Sequence, residues 1–257
     1  MGVLNVTPDS FSDGGEWEGA AAPRALAMLE AGADIIDIGG ESTRPGAAPV
    51  DASEEAARVV PVIAALRAST NAPISIDTMK PQVAMSALSA GASIWNDVTA
   101  LQSPGALETA ASLHRPVILM HMQGEPRTMQ ANPHYDDVVA EVIAFLRTRA
   151  DAARARGIAD IWVDPGIGFG KTLAHNLALL NATQRIADET GAPVLIGASR
   201  KRFIAAIDER AKDASKDRLG GSIAAALIAA QNGAGMVRVH DVAETVQALK
   251  VWRALAG

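Results

Sequence analysis

Gly2-Val3-Leu4-Asn5-Val6-Thr7-Pro8-Asp9-Ser10-Phe11-Ser12-Asp13-Gly14-Gly15 opens the chain as a short apolar strand that runs straight into a loop of hydroxyls, carboxylates and glycines. Asn5 stands where the strand ends. A strand that delivers a polar group to a glycine-rich loop is how a parallel barrel presents chemistry at the face where its strands terminate.

The unit repeats down the chain. Asp34-Ile35-Ile36-Asp37-Ile38 is a second strand, ending in Gly39-Gly40-Glu41-Ser42-Thr43-Arg44-Pro45-Gly46; Ile74-Ser75-Ile76-Asp77 is a third and Ser93-Ile94-Trp95-Asn96-Asp97 a fourth. Residues 116–121, 161–164, 193–198 and 236–240 supply the remaining four. Between them lie helical patterns. Residues 20–31 place Ala25, Leu26, Met28 and Leu29 at helical spacing, with Gly32 closing the helix. Residues 52–66 follow a cap at Asp51 or Ser53 and carry Glu54 and Glu55 in the first turn. Another helix begins near Lys80-Pro81, where proline suits the first turn. The longest connection is 122–136, the charged stretch 208–218 reads as a solvated link between two helical pieces, and 242–255 forms the last helix. Eight strands too apolar for a half-exposed sheet, each followed by a helix, describe an α/β fold: a single (β/α)8 TIM barrel over residues 1–257. An open doubly wound sheet is the alternative, but the glycines after the first strand lie in a long loop and do not form G-x-G-x-x-G opening a helix.

With 257 residues, 49% of them apolar and 20% charged, the chain can bury a full core. Its net charge of −6 is spread over the helices and no run of Lys and Arg is present, which argues against nucleic acid and anionic membranes as partners. There is no cysteine, so disulfides and thiolate metal sites are excluded. No apolar run approaches the roughly eighteen residues of a membrane span, and the opening is a strand rather than a targeting segment. The expectation is a soluble, cytoplasmic protein.

Almost every strand ends in a hydrogen-bonding side chain: Asn5; Glu41, Thr43 and Arg44; Asp77; Asn96 and Asp97; His121; Asp164; Ser199, Arg200 and Lys201; Arg238 and His240. A single Asp after a strand is usually a helix cap. Here Asn5, Asp77, Asn96, Asp164 and Arg238 end apolar runs instead of opening helices. Barrel closure makes the first and eighth strands neighbours, so Asn5 should lie beside Arg238 and His240, with Thr43-Arg44 one strand further round. That side suits a phosphate or pyrophosphate, to which Arg offers a bidentate fork. The other side holds Asp77, Asn96 and Asp164, with Lys201 nearby. Two carboxylates there repel by about 4 kcal/mol at ~4 Å and an effective dielectric near ~20, which a lysine or a donor-rich ligand must offset. Aminopyrimidinone rings, pterins and guanine among them, carry the paired amino group and ring N–H that match a carboxylate, and an Asn amide can serve their mixed edge. A ring on one side and an anion on the other imply an electrophilic carbon between them, bearing a phosphate-type leaving group. The residues themselves do not choose the ring. Met120, Trp95 and Trp162 read as packing, and His114, His134 and His175 as surface or helix residues.

Asn5-Val6-Thr7-Pro8-Asp9-Ser10-Phe11-Ser12-Asp13-Gly14, Gly39-Gly40-Glu41-Ser42-Thr43-Arg44-Pro45-Gly46, Asp164-Pro165-Gly166-Ile167-Gly168-Phe169-Gly170-Lys171, Ser199-Arg200-Lys201 and Arg238-Val239-His240-Asp241 span the chain from end to end. In that order they resemble the motifs of the dihydropteroate synthase family. The resemblance implies a barrel transferase of folate biosynthesis. It would join the methylene carbon of 6-hydroxymethyl-7,8-dihydropterin pyrophosphate to the amine of p-aminobenzoate, releasing 7,8-dihydropteroate and pyrophosphate with Mg2+, and would be a sulfonamide target. The resemblance implies that Asp77, Asn96, Asp164 and Lys201 hold the pterin. It implies that Asn5, Thr43, Arg238 and His240 meet the pyrophosphate, Asn5 also touching Mg2+, and that Phe11, Thr43, Arg44, Pro45, Phe169 and Lys201 shape the aminobenzoate site. Asp77, Lys201, Asp13 and Arg238 are the implied catalytic residues; segments 9–13 and 42–46 would close over the site, and a homodimer would form through the later helices. Many relatives have a small hydroxyl residue after Ser-Arg-Lys, where this chain has Arg202, whose guanidinium can also bind a carboxylate. Relatives often carry a short segment before the first strand, on which this chain opens directly. A pterin methyltransferase of the same superfamily would have no use for Thr43-Arg44-Pro45-Gly46 or Ser199-Arg200-Lys201. A barrel that only binds pterin would not need Asn5, Arg238 and His240 on the anion side.

Overall fold

The computed structural model describes residues 1–7, 17–42, 48–126 and 128–256. Strand and helix alternate: β1 (Gly2–Asn5), α1 (Trp17–Glu30), β2 (Ile36–Gly39), α2 (Ala52–Ser69), β3 (Ile74–Asp77), α3 (Pro81–Ser89), β4 (Ile94–Asp97), α4 (Ala106–Leu113), β5 (Val117–Met120) and α5 (Val138–Ala155). Then come β6 (Ile161–Asp164), α6 (Leu173–Asn181), α7 (Thr183–Thr190), β7 (Leu195–Ile196), α8 (Arg202–Ile207), α9 (Leu219–Gln231), β8 (Met236–Val237) and α10 (Val242–Ala256). The charged link between α8 and α9 winds into two short 3-10 turns, Glu209–Ala211 and Ser215–Arg218.

Strands β1 to β6 pair in sequence order, all parallel, and β7 pairs with β8. Bridges between Val163 and Val194 and between Gly2 and Val239 join β6 to β7 and β8 to β1, closing the ring. At the closure the Val3 N–H donates to the Val239 carbonyl at 2.9 Å and the Val239 N–H to the Met1 carbonyl at 3.0 Å. The fold is the α/β TIM barrel expected from the strand count.

Register decides what faces the interior, because partners on parallel strands point to the same side. Val3 pairs with Asp37 and Asp37 with Ser75; one step toward the rim, Asn5 pairs with Gly39, Gly39 with Asp77 and Asp77 with Asn96. Polar side chains therefore line two levels of the barrel on this flank. The intervening residues, Leu4, Ile36, Ile38, Ile74 and Ile76, point outward and are buried under the helices. Met1, Ile118 and Leu195, with Trp162, Ile94 and Met236 against them, fill the opposite end of the barrel. Trp95 is buried and donates its indole N–H to the Thr78 carbonyl at 2.8 Å, so both tryptophans pack as expected.

Helix boundaries follow local chemistry. Asp51, not Ser53, caps α2, accepting the Glu54 N–H at 2.9 Å, and the helix runs three residues past the expected end because Arg67 fastens the next turn through the Thr70 and Ala72 carbonyls. Gly40 lets β2 approach α2: a Cβ there would lie 2.8 Å from Val59 Cγ1 and 3.1 Å from the Glu55 carbonyl oxygen. The long connection before α5 folds onto the loop after β6, with the Tyr135 hydroxyl donating to the Gly170 carbonyl at 2.9 Å.

Candidate active site

The side expected to hold the ring is a charged cluster built across the barrel. Arg238, just past β8, donates from Nε to Asp37 Oδ2 at 2.5 Å and from Nη2 to Asp77 Oδ2 at 2.7 Å. Asn96 Nδ2 donates to the same Asp37 Oδ2 at 3.2 Å. Asp37 is wholly buried, and its Oδ1 has no hydrogen-bond partner among the described residues, a cost of about 1–3 kcal/mol for an acceptor stripped of water. Burial pushes the Asp77 carboxyl up to about 7; Arg238 pulls against that shift, while Asp37 adds to it. The Arg238 guanidinium is held firmly protonated by Asp37 and Asp77 despite its burial. Arg238 was expected on the anion side. Two of its five N–H groups are instead committed to the carboxylates of Asp37 and Asp77.

Two expected strand-end carboxylates serve the scaffold instead. Asp97 accepts from the Thr99 N–H, the Thr99 hydroxyl and the Leu101 N–H, each at 2.8 Å, and so braces the turn after β4. Glu41 accepts from the Val50 N–H and from Lys80 Nζ, each at 2.8 Å, and Lys80 also reaches the buried Glu55.

Asp164 ends β6 and accepts the Gly166 N–H at 2.7 Å; burial raises its pKa. Gly166 has φ +70°, and a Cβ there would sit 1.9 Å from the His121 carbonyl oxygen, so only glycine lets this loop press against the end of β5. Lys171 locks the same junction. Its Nζ lies 3.0 Å from His121 Nδ1 and donates to the Phe169 carbonyl at 3.0 Å. Burial lowers Lys171 to about 7, while burial and the neighbouring Lys171 lower His121 to about 3, which keeps the imidazole neutral.

Across the mouth, Lys201 Nζ stands 3.8 Å from the centroid of the Phe169 ring, a cation–π contact. Arg200 precedes it with φ +59°, an unusual value for a residue with a side chain. That conformation is held by four bonds: the Arg200 N–H donates to Ser222 Oγ at 2.8 Å, its carbonyl accepts from Arg218 Nη1 at 3.0 Å, and its guanidinium makes a two-bond fork onto Asp241. Ser199 Oγ accepts the His240 N–H at 3.2 Å and lies 3.1 Å from His240 Nδ1. A hydroxyl that accepts the backbone proton can give its own to Nδ1, and in that tautomer the imidazole carries its proton on Nε2. Burial, then the charges of Arg238, Arg200 and Lys201, lower His240 to about 3, so the ring is neutral.

Asn5, Asp77, Phe169, Lys201, Arg238 and His240 share one cleft of about 670 Å³. Asn96 and Asp164, 5% and 6% exposed, lie behind it. Phe11, Asp13, Thr43, Arg44 and Pro45 fall outside the described residues. Sequence reasoning assigned no role to Met129, Gln130 or Lys171, all of which line this cleft.

A family model described as "Pterin binding enzyme" matches residues 1–240. This chain belongs to the pterin-binding enzyme family. Among its relatives is the dihydropteroate synthase of Haemophilus influenzae, 50% identical over 100% of this chain and 93% of that one. The dihydropteroate synthase of Xanthomonas albilineans with 4-aminobenzoic acid is 52% identical, superposes with a TM-score of 0.94 and is matched over 100% of this chain and 92% of its own. The same organism's enzyme in complex with 7,8-dihydropteroate gives 49% identity, a TM-score of 0.90 and coverage of 100% and 93%. For a pterin-binding enzyme the buried Asp37 is the main site feature that sequence reading missed. The available signal was a carboxylate at an inward position in the middle of an apolar strand, which requires a cationic partner.

Proposed function

We propose that the chain is a folate-pathway transferase with dihydropteroate synthase activity. It condenses 6-hydroxymethyl-7,8-dihydropterin pyrophosphate with p-aminobenzoate to give 7,8-dihydropteroate and pyrophosphate. The observation that carries the reading is one cleft joining the Asp77–Arg238 pair to Lys201 and His240, in a chain half identical, over its full length, to dihydropteroate synthases.

The carboxylates of Asp77 and Asp164 and the amide of Asn96 accept the pterin's amino and ring N–H groups, with Lys201 beside them. The bond between the methylene carbon and the pyrophosphate oxygen breaks, and its electron pair leaves on oxygen. Asn5, Thr43, Arg238 and the Nε2–H of His240 receive the pyrophosphate; oriented donors of this kind act where charge develops. Asp77, ionised, favours the cation shared by the ring and the methylene carbon. The aminobenzoate nitrogen, held in a site shaped by Phe11, Thr43, Arg44, Pro45, Phe169 and Lys201, forms the new C–N bond and loses a proton to solvent. Arg202, on the cleft wall, is suited to the aminobenzoate carboxylate.

Mg2+ fits this site as a metal that arrives with the pyrophosphate. The Asn5 side chain has no hydrogen-bond partner among the described residues, so its amide oxygen is available, and no group of three His, Cys, Asp or Glu residues among them forms a protein cage. A single amide oxygen suits a cation that prefers oxygen and keeps several waters. When bound, the ion supplies charge neutralisation to the leaving group. Asp13 assists there in this reading.

The protein works as a cytoplasmic homodimer through its later helices, where Ile228, Val251 and Leu255 are exposed. No helix among the described residues is long and apolar enough to cross a membrane. The deciding experiment measures pyrophosphate release from the pterin substrate with Mg2+, with and without p-aminobenzoate. Release that rises with aminobenzoate and yields dihydropteroate is expected; pterin binding without release would sink the reading.

A further inference from the structure

Asp37 cannot touch a ligand, since it is wholly buried one level below the rim of the barrel. It nevertheless contacts two groups of the ring side, brought from β4 and from the end of β8 onto a single oxygen, Oδ2. We propose that Asp37 is a positioning residue for the transfer reaction, orienting the Arg238 guanidinium for the departing pyrophosphate and the Asn96 amide for the ring of the pterin substrate.

The chemistry of the contacts supports this role. A carboxylate only accepts hydrogen bonds, so Asn96 must turn its NH2 toward Asp37, which leaves the amide carbonyl oxygen for its other side. That fixes which edge of the amide a ring can meet. Arg238 is held at two points, Nε on Asp37 and Nη2 on Asp77, and the pair of contacts defines the plane of the guanidinium. With Asp77 alone, the group could pivot about one contact. The interior positions Val3, Ile118 and Leu195 are buried apolar residues, and a barrel selected for stability alone could place one at position 37 as well. A charged group kept there with one oxygen unpartnered among the described residues is better explained by what it orients.

The inference rests on the synthase reading, and its test separates the two. The Asp37→Asn variant is compared with wild type in steady-state pyrophosphate release, varying each substrate in turn. The expected result is a fall of at least about tenfold in kcat/KM for the pterin substrate, expressed in KM as well as kcat, with the aminobenzoate KM within about twofold of wild type. A purely structural defect would reduce the active fraction and lower the apparent kcat without moving the pterin KM; an unchanged pterin KM overturns the proposal. Arg238→Lys and the double variant complete a cycle. The two changes together should cost less than the product of their separate effects, and a simple product overturns the proposal. If Asp37→Asn fails to fold, the wild-type protein still decides. The Arg238 Nε–H signal in the NMR spectrum, assigned by its loss in Arg238→Lys, should exchange slowly with water, and fast exchange refutes the pairing. Wild-type protein that releases no pyrophosphate in the presence of aminobenzoate sinks the synthase reading, whereas active wild type with unaltered Asp37→Asn kinetics sinks only this one.

Discussion

Replacing Asp77 by Asn removes one charge from the ring side while keeping nearly the same shape. An ionised carboxylate ~4 Å from a cationic ring contributes about 4 kcal/mol at an effective dielectric near ~20. Arg238 already holds Asp77 Oδ2 at 2.7 Å, so part of that field is cancelled before the substrate arrives. If about half survives, about 2 kcal/mol of transition-state stabilisation is lost, or about thirtyfold in rate. Burial and the nearby Asp37 raise Asp77 to about 7, so wild-type turnover should climb as pH rises through that value and Asp77 becomes ionised. Asp77→Asn should be slow and lack this limb. The linked stability has the opposite sign. Folding favours the protonated acid, so its contribution is present below the ordinary value of 3.8 and is lost as pH rises toward about 7. The assay is pyrophosphate release from about pH 5.5 to 8.5, alongside the aminobenzoate KM, which should stay within about threefold of wild type. Equal kcat in the variant, or an acid limb that survives the substitution, would rule out this role for Asp77.

Gly166→Ala should be among the most damaging small changes, because its Cβ would overlap the His121 carbonyl at 1.9 Å in a φ +70° conformation; thermal unfolding should show a loss above about 2 kcal/mol. Lys80→Met leaves Glu55 buried without its cation and should cost about 3–5 kcal/mol in urea unfolding, whereas an unchanged midpoint would show that Glu55 finds another partner. Lys201→Gln removes the cation over Phe169 and should lower kcat/KM by about tenfold or more with little change in thermal stability, since the contact lies in the cleft. Asp51→Ala, which deletes a cap remote from the cleft, should lower the thermal unfolding midpoint and leave kcat unaltered.

The eight strand-then-helix units were legible in the sequence because strand and helix periodicities are local, and because glycines and polar residues punctuate each strand end. Asn5, Asp77, Asn96, Asp164 and Arg238 stood out for the same reason: each breaks an apolar run at its end. Asp97 and Glu41 matched that pattern too, yet the structure spends one on a turn and the other on Lys80, since a strand-end carboxylate looks the same whether it meets a ligand or its own backbone. Asp37 was hidden within a strand. Its meaning depends on Arg238, 201 positions away, and only barrel closure brings β8 against the flank that carries β2. Local periodicity and punctuation specify the units and the inventory of polar groups at their ends. Which charges meet is fixed by the folded ring, because pairing in a closed barrel is set by register around it and not by separation along the chain.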